Sequence, residues 1–345
     1  MTSPASSPWP VNPVLVELWR GEGLESVHRG AWAVVDAAGA LVRGGGDLDH
    51  ATPSRSAVKC LQALPLLESG AADAAGYDAA DVALALSSHN AEADHTERVA
   101  AILERLGLGV EALQCGAQEP GDPTARAALR EAGATPSALH NNCSGKHAGF
   151  LAAARQLGQD PASYLDPEGA VQRAVHAAVM DLCGLEGPVP FAIDGCSAPT
   201  WRLSVRDLAT AFARVGTPDG LGADRAVACR RMTAAAAAHP TLIAGRHKRV
   251  CTALLEASGG ALFPKIGAEG VYAIARVGSG EALALKIDDG GGRGLHAAVL
   301  GLLGGLGWLG EEALADLAQR FGPPTRNWAG REVASWRVPM PGGRG

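Results

Sequence analysis

The sequence predicts an α+β fold: one antiparallel sheet assembled from strands at both ends of the chain, flanked by helices and carrying a helical lobe between them. Three observations lead there. Short Val- and Trp-rich runs open the chain, and a second pair of apolar runs, separated by Gly-Ser-Gly, lies near its end. Between residues 55 and 249 the apolar positions recur at helical spacing instead. Strands so far apart in sequence must cover each other's edges, and a single sheet with a helical insertion does so most simply.

In chain order, residues 14–19 (VLVELW) and 28–35 (HRGAWAVV) read as strands, with a turn at Ala38-Gly39 and a returning strand over 40–43. Asp94 followed by Glu97 predicts a capping box, placing Val99, Ile102, Leu103 and Leu106 on one helical face. Pro167 is expected to open a helix that turns Val171, Val175, Val179 and Leu182 inward and stops at Gly184. Ser204 with Asp207 starts another, burying Leu208 and Phe212. Residues 271–277 and 282–287 form a hairpin across the turn at 278–280. Asp288-Asp289-Gly290-Gly291-Gly292 lacks the lysine of a phosphate loop and the spacing of a calcium loop, so it reads as a tight strand-to-helix turn. The expected organisation is one catalytic unit over residues 12–325. Its sheet-containing part is 12–54 and 262–325, its mainly helical part is 55–261, and 326–345 is a C-terminal extension ending in a frayed MPGGRG.

The chain has 345 residues, 47% hydrophobic and 19% charged, enough to bury a sizeable core and too apolar for disorder. A formal net charge of −6 and only 15 aromatic residues, without a stacking cluster, argue against a nucleic-acid partner. Seven cysteines without close, even spacings fit a reducing compartment better than a disulfide scaffold. The N-terminal segment has no basic region followed by an apolar one, so no secretory signal is expected. The longest apolar run, 295–309, carries four glycines and a histidine and is shorter than the ~20 residues that span a bilayer. A buried, glycine-notched helix is expected there, in a cytoplasmic protein that does not enter membranes.

Three short stretches carry the chemistry. Ser56 and Lys59 stand three apart at a helix start, where side chains share a face and a desolvated amine can serve as base for a hydroxyl. Ser88-His89-Asn90 follows an apolar run and reads equally as a turn. Lys265 leads into Gly267 at an edge strand, where an ammonium can meet a substrate carboxylate or simply guard the edge. In order, S-x-x-K, S-x-N and K-x-G match the signature set of serine β-lactamases and penicillin-binding proteins, with Ile266 where that set has Thr.

Beyond these, residues 54–65 (SRSAVKCLQALP), 141–151 (NNCSGKHAGFL), 194–199 (DGCSAP), 265–273 (KIGAEGVYA) and 284–291 (ALKIDDGG) resemble the Rhizobium etli-type L-asparaginases, the asparaginase II family. The resemblance covers roughly residues 12–325 and is most specific at NNCSGKH. It implies a serine β-lactamase/penicillin-binding protein-like fold and hydrolysis of L-asparagine to aspartate and ammonia. It matches Ser56 and Lys59 to the family's first serine–lysine pair, and Ser88 and Lys265 to its second serine and facing lysine. It also implies a zinc site at Cys143, Lys146 and Cys196, which spacing alone does not show. Zinc there is expected to hold substrate and modulate the reaction without being essential. Cys60, Cys115, Cys183, Cys229 and Cys251 are read as packing thiols.

The expected mechanism is covalent. Ser56 attacks the side-chain amide carbon, neutral Lys59 takes its proton, and Ser88 with Lys265 relays a proton to the departing ammonia. Arg55 is expected either to pair with a substrate carboxylate or to form an outward salt bridge. Asn90, His147 and Asp194 are candidate substrate contacts, with a structural role open for each. A homodimer is expected. The alternatives are a glutaminase or β-lactam-processing serine hydrolase of the same fold, or a non-catalytic zinc-binding domain.

Overall fold

The computed structural model describes residues 9–322 and 324–339. Eleven strands follow in chain order: β1 (Val14–Arg20), β2 (Gly23–Asp36), β3 (Leu41–Gly45), β4 (Thr52–Pro53), β5 (Phe191–Ile193), β6 (Pro199–Leu203), β7 (Leu262–Ile266), β8 (Val271–Arg276), β9 (Glu281–Ile287), β10 (Thr325–Arg326) and β11 (Glu332–Arg337). The main sheet runs β10-β11-β1-β2-β9-β8-β7, with β3 also paired to β2. Every pairing in it is antiparallel. The α+β class and the joining of N-terminal to C-terminal strands are as predicted, with β2 and β9 in register from Gly30↔Ile287 to Asp36↔Glu281.

Ala31, Trp32, Ala33, Val34 and Val35 are buried in succession, so both faces of the sheet are covered at β2. The helix Val205–Gly216 lies across β2, β8 and β9, and its Phe212 stacks on Phe263 of β7 with ring centroids 6.0 Å apart. Its start is the predicted capping box: Ser204 accepts from the Asp207 N–H and Asp207 accepts from the Ser204 N–H. Gly184 ends the helix Ala170–Cys183 in a left-handed turn, and Val171, Val175, Val179 and Leu182 are buried as expected. The 295–309 run forms most of the helix Gly292–Leu306, largely buried, which stops at Gly307 so that residues 307–309 lie beyond it. No helix among the described residues is long and apolar enough to cross a membrane.

The structure departs from the sequence reading in four places. Pro167 lies in a turn ahead of the helix it was expected to open, which begins at Ala170 behind Gly169. The 55–261 stretch is not purely helical: β4, β6 and β5 form a separate three-stranded sheet that ties residues 191–203 to Thr52–Pro53. The capping box at Asp94 is absent. The helix Ala93–Arg105 begins two residues earlier, behind Glu92, and Arg246 pairs with both the Glu92 and Asp94 carboxylates. The expected extension is also part of the sheet, since β11 pairs with β1 from Glu17↔Arg337 to Trp19↔Ser335. The MPGGRG end lies outside the described residues.

Candidate active site

Ser56 lies in a short 3-10 turn, Arg55–Val58, that runs into the helix Lys59–Gln62. Arg55 holds that turn at φ 53°, a left-handed conformation costly for a residue with a side chain. Of the five described non-glycine residues with positive φ, Arg55, Ala91, Ser197 and Lys248 each lie within three residues of Ser56, Ser88, Cys196 or Arg249. Backbone strain therefore gathers around one place in the fold.

The turn is held from two sides. Arg55 N–H donates to Thr200 Oγ1 at 3.0 Å, and the Arg55 guanidinium pairs with Asp194 at 2.8 Å. Of the two roles open to Arg55, the structure shows the salt bridge. On the other side Gly267 follows β7 so closely that a Cβ there would stand 2.9 Å from Ser54 O. The glycine of K-x-G is thus a packing requirement that brings Lys265 up against the serine turn.

Lys59 and Lys265 are both 1% exposed and converge on a single hydroxyl. Lys59 Nζ lies 3.0 Å from Ser88 Oγ, and Lys265 Nζ lies 2.8 Å from the same atom. Lys59 Nζ also donates to the carbonyls of Ser87 and Asn142. A carbonyl can only accept, so a neutral amine spends both its hydrogens on these two and turns its lone pair to Ser88. Burial lowers the Lys59 pKa and, together with the neighbouring Lys59 charge, brings Lys265 down to about 7. These are the conditions of a base.

The expected Ser56–Lys59 hydrogen bond is not among those of the described residues. The 3-10 turn leaves Ser56 half-buried at the surface, while the long lysine side chain reaches inward to Ser88. Asn90 is likewise committed to the fold: it donates to His247 O at 3.2 Å and accepts from Arg249 Nη1 at 2.8 Å. His147 is fully buried, 2.7 Å from Tyr164 Oη through Nδ1, with its Nε2 unpartnered.

Cys143, Lys146 and Cys196 come together in the fold. Gly145 lets the start of the helix Ser144–Gln156 press onto the helix Ala79–Ala85, where a Cβ would stand 2.4 Å from Leu84 O. This sets Cys143 and Lys146 against Cys196, with Lys146 Nζ donating to Cys196 Sγ at 3.2 Å. All three are buried. A hydrogen bond from Cys196 holds the Cys143 thiol well below its ordinary range, against burial. Burial pulls Lys146 down, but the facing Cys196 and Cys143 charges outweigh it and hold its ammonium above the usual value. Two thiols and an amine form a donor set that suits zinc, leaving a fourth tetrahedral position open.

Arg249 escaped sequence reasoning because no motif marks it. It donates through Nη2 to Ser88 O and through Nη1 to Asn90, while the Ser88 N–H donates to Ile243 O at 3.0 Å. The hub serine is thereby clamped through both of its backbone groups.

Comparison with known proteins identifies the family. The family model described as L-asparaginase II matches residues 16–338. The chain belongs to the L-asparaginase II family. Among curated proteins none matches. Among solved structures, a β-lactamase from Mycobacterium bovis is similar at 18% identity and a TM-score of 0.38, over 80% of this chain and 94% of that one. That likeness is too slight to bear on the site. Family membership makes the chain an amidohydrolase.

Proposed function

We propose that the protein hydrolyses L-asparagine to L-aspartate and ammonia through a serine–lysine acyl-enzyme. The observation that carries this reading is the Ser88 hydroxyl held between two buried lysines, 3.0 Å from Lys59 and 2.8 Å from Lys265. Such a chain moves protons and is hard to account for in a binding module.

Ser56 is the nucleophile in this reading, because it is half-buried and reachable whereas Ser88 is 5% exposed. Its Oγ bonds to the amide carbon of asparagine as its proton passes to neutral Lys59, whose lone pair turns from Ser88 to Ser56 for this step. Hydrogen bonds at such sites often close only once substrate is bound. The carbon–nitrogen bond then breaks, and the nitrogen leaves as ammonia with a proton delivered through Ser88 from the lysines. Water attacks the ester as its proton passes to the lysine pair; the bond from the acyl carbon to Ser56 Oγ breaks, that proton returns to Oγ, and aspartate is released. The Ser56 N–H, at a helix start, supplies part of the stabilisation of the oxyanion.

Cys143, Lys146 and Cys196 would hold zinc, Lys146 ligating once its proton is displaced. Zinc bound there supplies a fixed positive charge for a substrate carboxylate. Ammonia release from asparagine, set beside glutamine and a chromogenic β-lactam, tests the substrate. Preference for asparagine supports the proposal. Turnover of the β-lactam alone, or of none of the three, overturns it.

A further inference from the structure

A second group of metal-ligand side chains lies a few residues beyond Ser88, where its loop runs into the helix Ala93–Arg105. Glu92, Asp94 and His95 direct ligand atoms to one spot, all within 4.8 Å of one another. His95 is fully buried, and its Nε2 lies 3.1 Å from the Thr241 carbonyl. A carbonyl only accepts, so the ring hydrogen is on Nε2 and Nδ1 carries a bare lone pair. That Nδ1 has no hydrogen-bond partner among the described residues. It faces Asp94 Oδ1 at 3.6 Å, an atom that is also buried and unpartnered.

Two lone pairs confronting each other away from water are costly. A shared proton does not resolve the conflict, because 3.6 Å is too long for a hydrogen bond. The span does suit two ligands of one ion: nitrogen and oxygen donors at about 2.1 Å from a tetrahedral zinc stand about 3.4 Å apart. We propose that Glu92, Asp94 and His95 bind a divalent first-row cation of the zinc class, at a site separate from Cys143, Lys146 and Cys196. His95 ligates through Nδ1 while its Nε2–H stays on the Thr241 carbonyl, the kind of backing that orients ligating imidazoles. Asp94 ligates through Oδ1 and keeps Oδ2 on Arg246 Nη2 at 2.6 Å. Glu92 contributes one carboxylate oxygen beside its bonds from Arg246 N and Nη1, each 2.6 Å.

Arg246 is the rival occupant, since it already pairs with both carboxylates. It touches neither Asp94 Oδ1 nor His95 Nδ1, and its side chain is 59% exposed, where solvent weakens its charge. The position also has a consequence for the catalytic loop. The His89 ring, next to Ser88, stacks on His95 with centroids 4.8 Å apart and planes 14° apart. A bound cation therefore braces the loop that presents Ser88.

Zinc titration of the Cys143→Ser/Cys196→Ser variant, with metal content measured after gel filtration, tests this apart from the cysteine site. One equivalent should remain bound, and adding Asp94→Asn or His95→Gln should weaken it at least tenfold. On zinc addition the His95 Nδ1 resonance should shift more than Nε2. Asp94 is half-exposed, so Asp94→Asn keeps the test decisive even if His95→Gln does not fold. Failure of the cysteine variant to bind zinc, or equal affinity after Asp94→Asn, overturns this site. Either result leaves the cysteine–lysine reading and the proposed hydrolysis standing.

Discussion

Ser56 and Ser88 differ in what holds them, and that difference divides their roles. Ser88 has both lysines on its hydroxyl and its backbone clamped by Ile243 and Arg249, whereas Ser56 sits half-buried on a strained turn. Ser56→Ala removes little packing and should fold normally while losing on the order of 10³-fold or more in kcat. Ser88→Ala should also be slow. Only Ser88→Ala should still gain the acyl mass on Ser56 when quenched with substrate, and acylation of Ser88 in the Ser56 variant would reverse the assignment. The lysines set the pH dependence. Burial and the Lys59 charge bring Lys265 to about 7, and a lysine is a base only when neutral. kcat/KM should therefore rise with pH up to about 7 and level off above it, and Lys265→Arg, charged throughout, should be nearly inactive. A profile flat across that range would show that protonation of this pair does not limit the reaction. Much of this was readable in the motifs, since S-x-x-K, S-x-N and K-x-G name Lys59, Ser88 and Lys265. Arg249 and the Thr200 hydroxyl under Arg55 were not, because single residues from distant segments leave no local spacing to detect.

At the level of elements, legibility followed length and capping. The helix Ala170–Cys183, the capping box at Ser204 and the hairpin through residues 278–280 each combine periodicity with a terminal signal. The strands β4, β5 and β6 are two, three and five residues long, too short for alternation to show, and prolines flank or begin them. The start of the helix at Ala93 went astray differently: Asp94 fits a cap locally, but its carboxylate pairs with an arginine more than 150 residues away. Gly267 tests how tightly elements must meet. A methyl there would stand 2.9 Å from Ser54 O and 3.0 Å from Val271 Cβ, and 3.3 Å from Ala57 N. Gly267→Ala should force the end of β7 away from the Ser56 turn. A 10–100-fold loss in kcat/KM is expected, since small misplacements of reacting groups cost about that much. The melting temperature should fall by only a few degrees, about 1–2 kcal/mol in a chain this size. Unchanged kinetics would mean that the turn tolerates a wider gap.

Across the whole molecule, the sheet end at β7 meets the helical lobe so that Lys59, Lys146 and Lys265 are buried together, with Arg249 half-buried beside them. None of the four has a carboxylate partner among the ion pairs of the described residues. A counterweight is the Cys143 thiol, held low by a hydrogen bond from Cys196, against burial, and by Lys59 and Lys146. A centre with surplus positive charge suits a substrate that carries a carboxylate, and the cysteine–lysine set is where a bound zinc ion would add to it. The serine–lysine chain runs through Ser88 and does not need that charge to move protons. Chelation should therefore raise KM for asparagine several-fold more than it lowers kcat, because it removes binding and not chemistry. Cys143→Ser and Cys196→Ser should each do the same. The double variant should be little worse than either, since two ligands of one ion fail as a unit. Steady-state kinetics with metal analysis on the same samples decides the matter. If both variants lose kcat with KM unchanged, the cysteines support the position of Lys59 and the substrate-holding role falls. If both keep full activity while free of metal, the pair is packing alone, and the charge of Lys146 and Arg249 must be enough to hold the carboxylate.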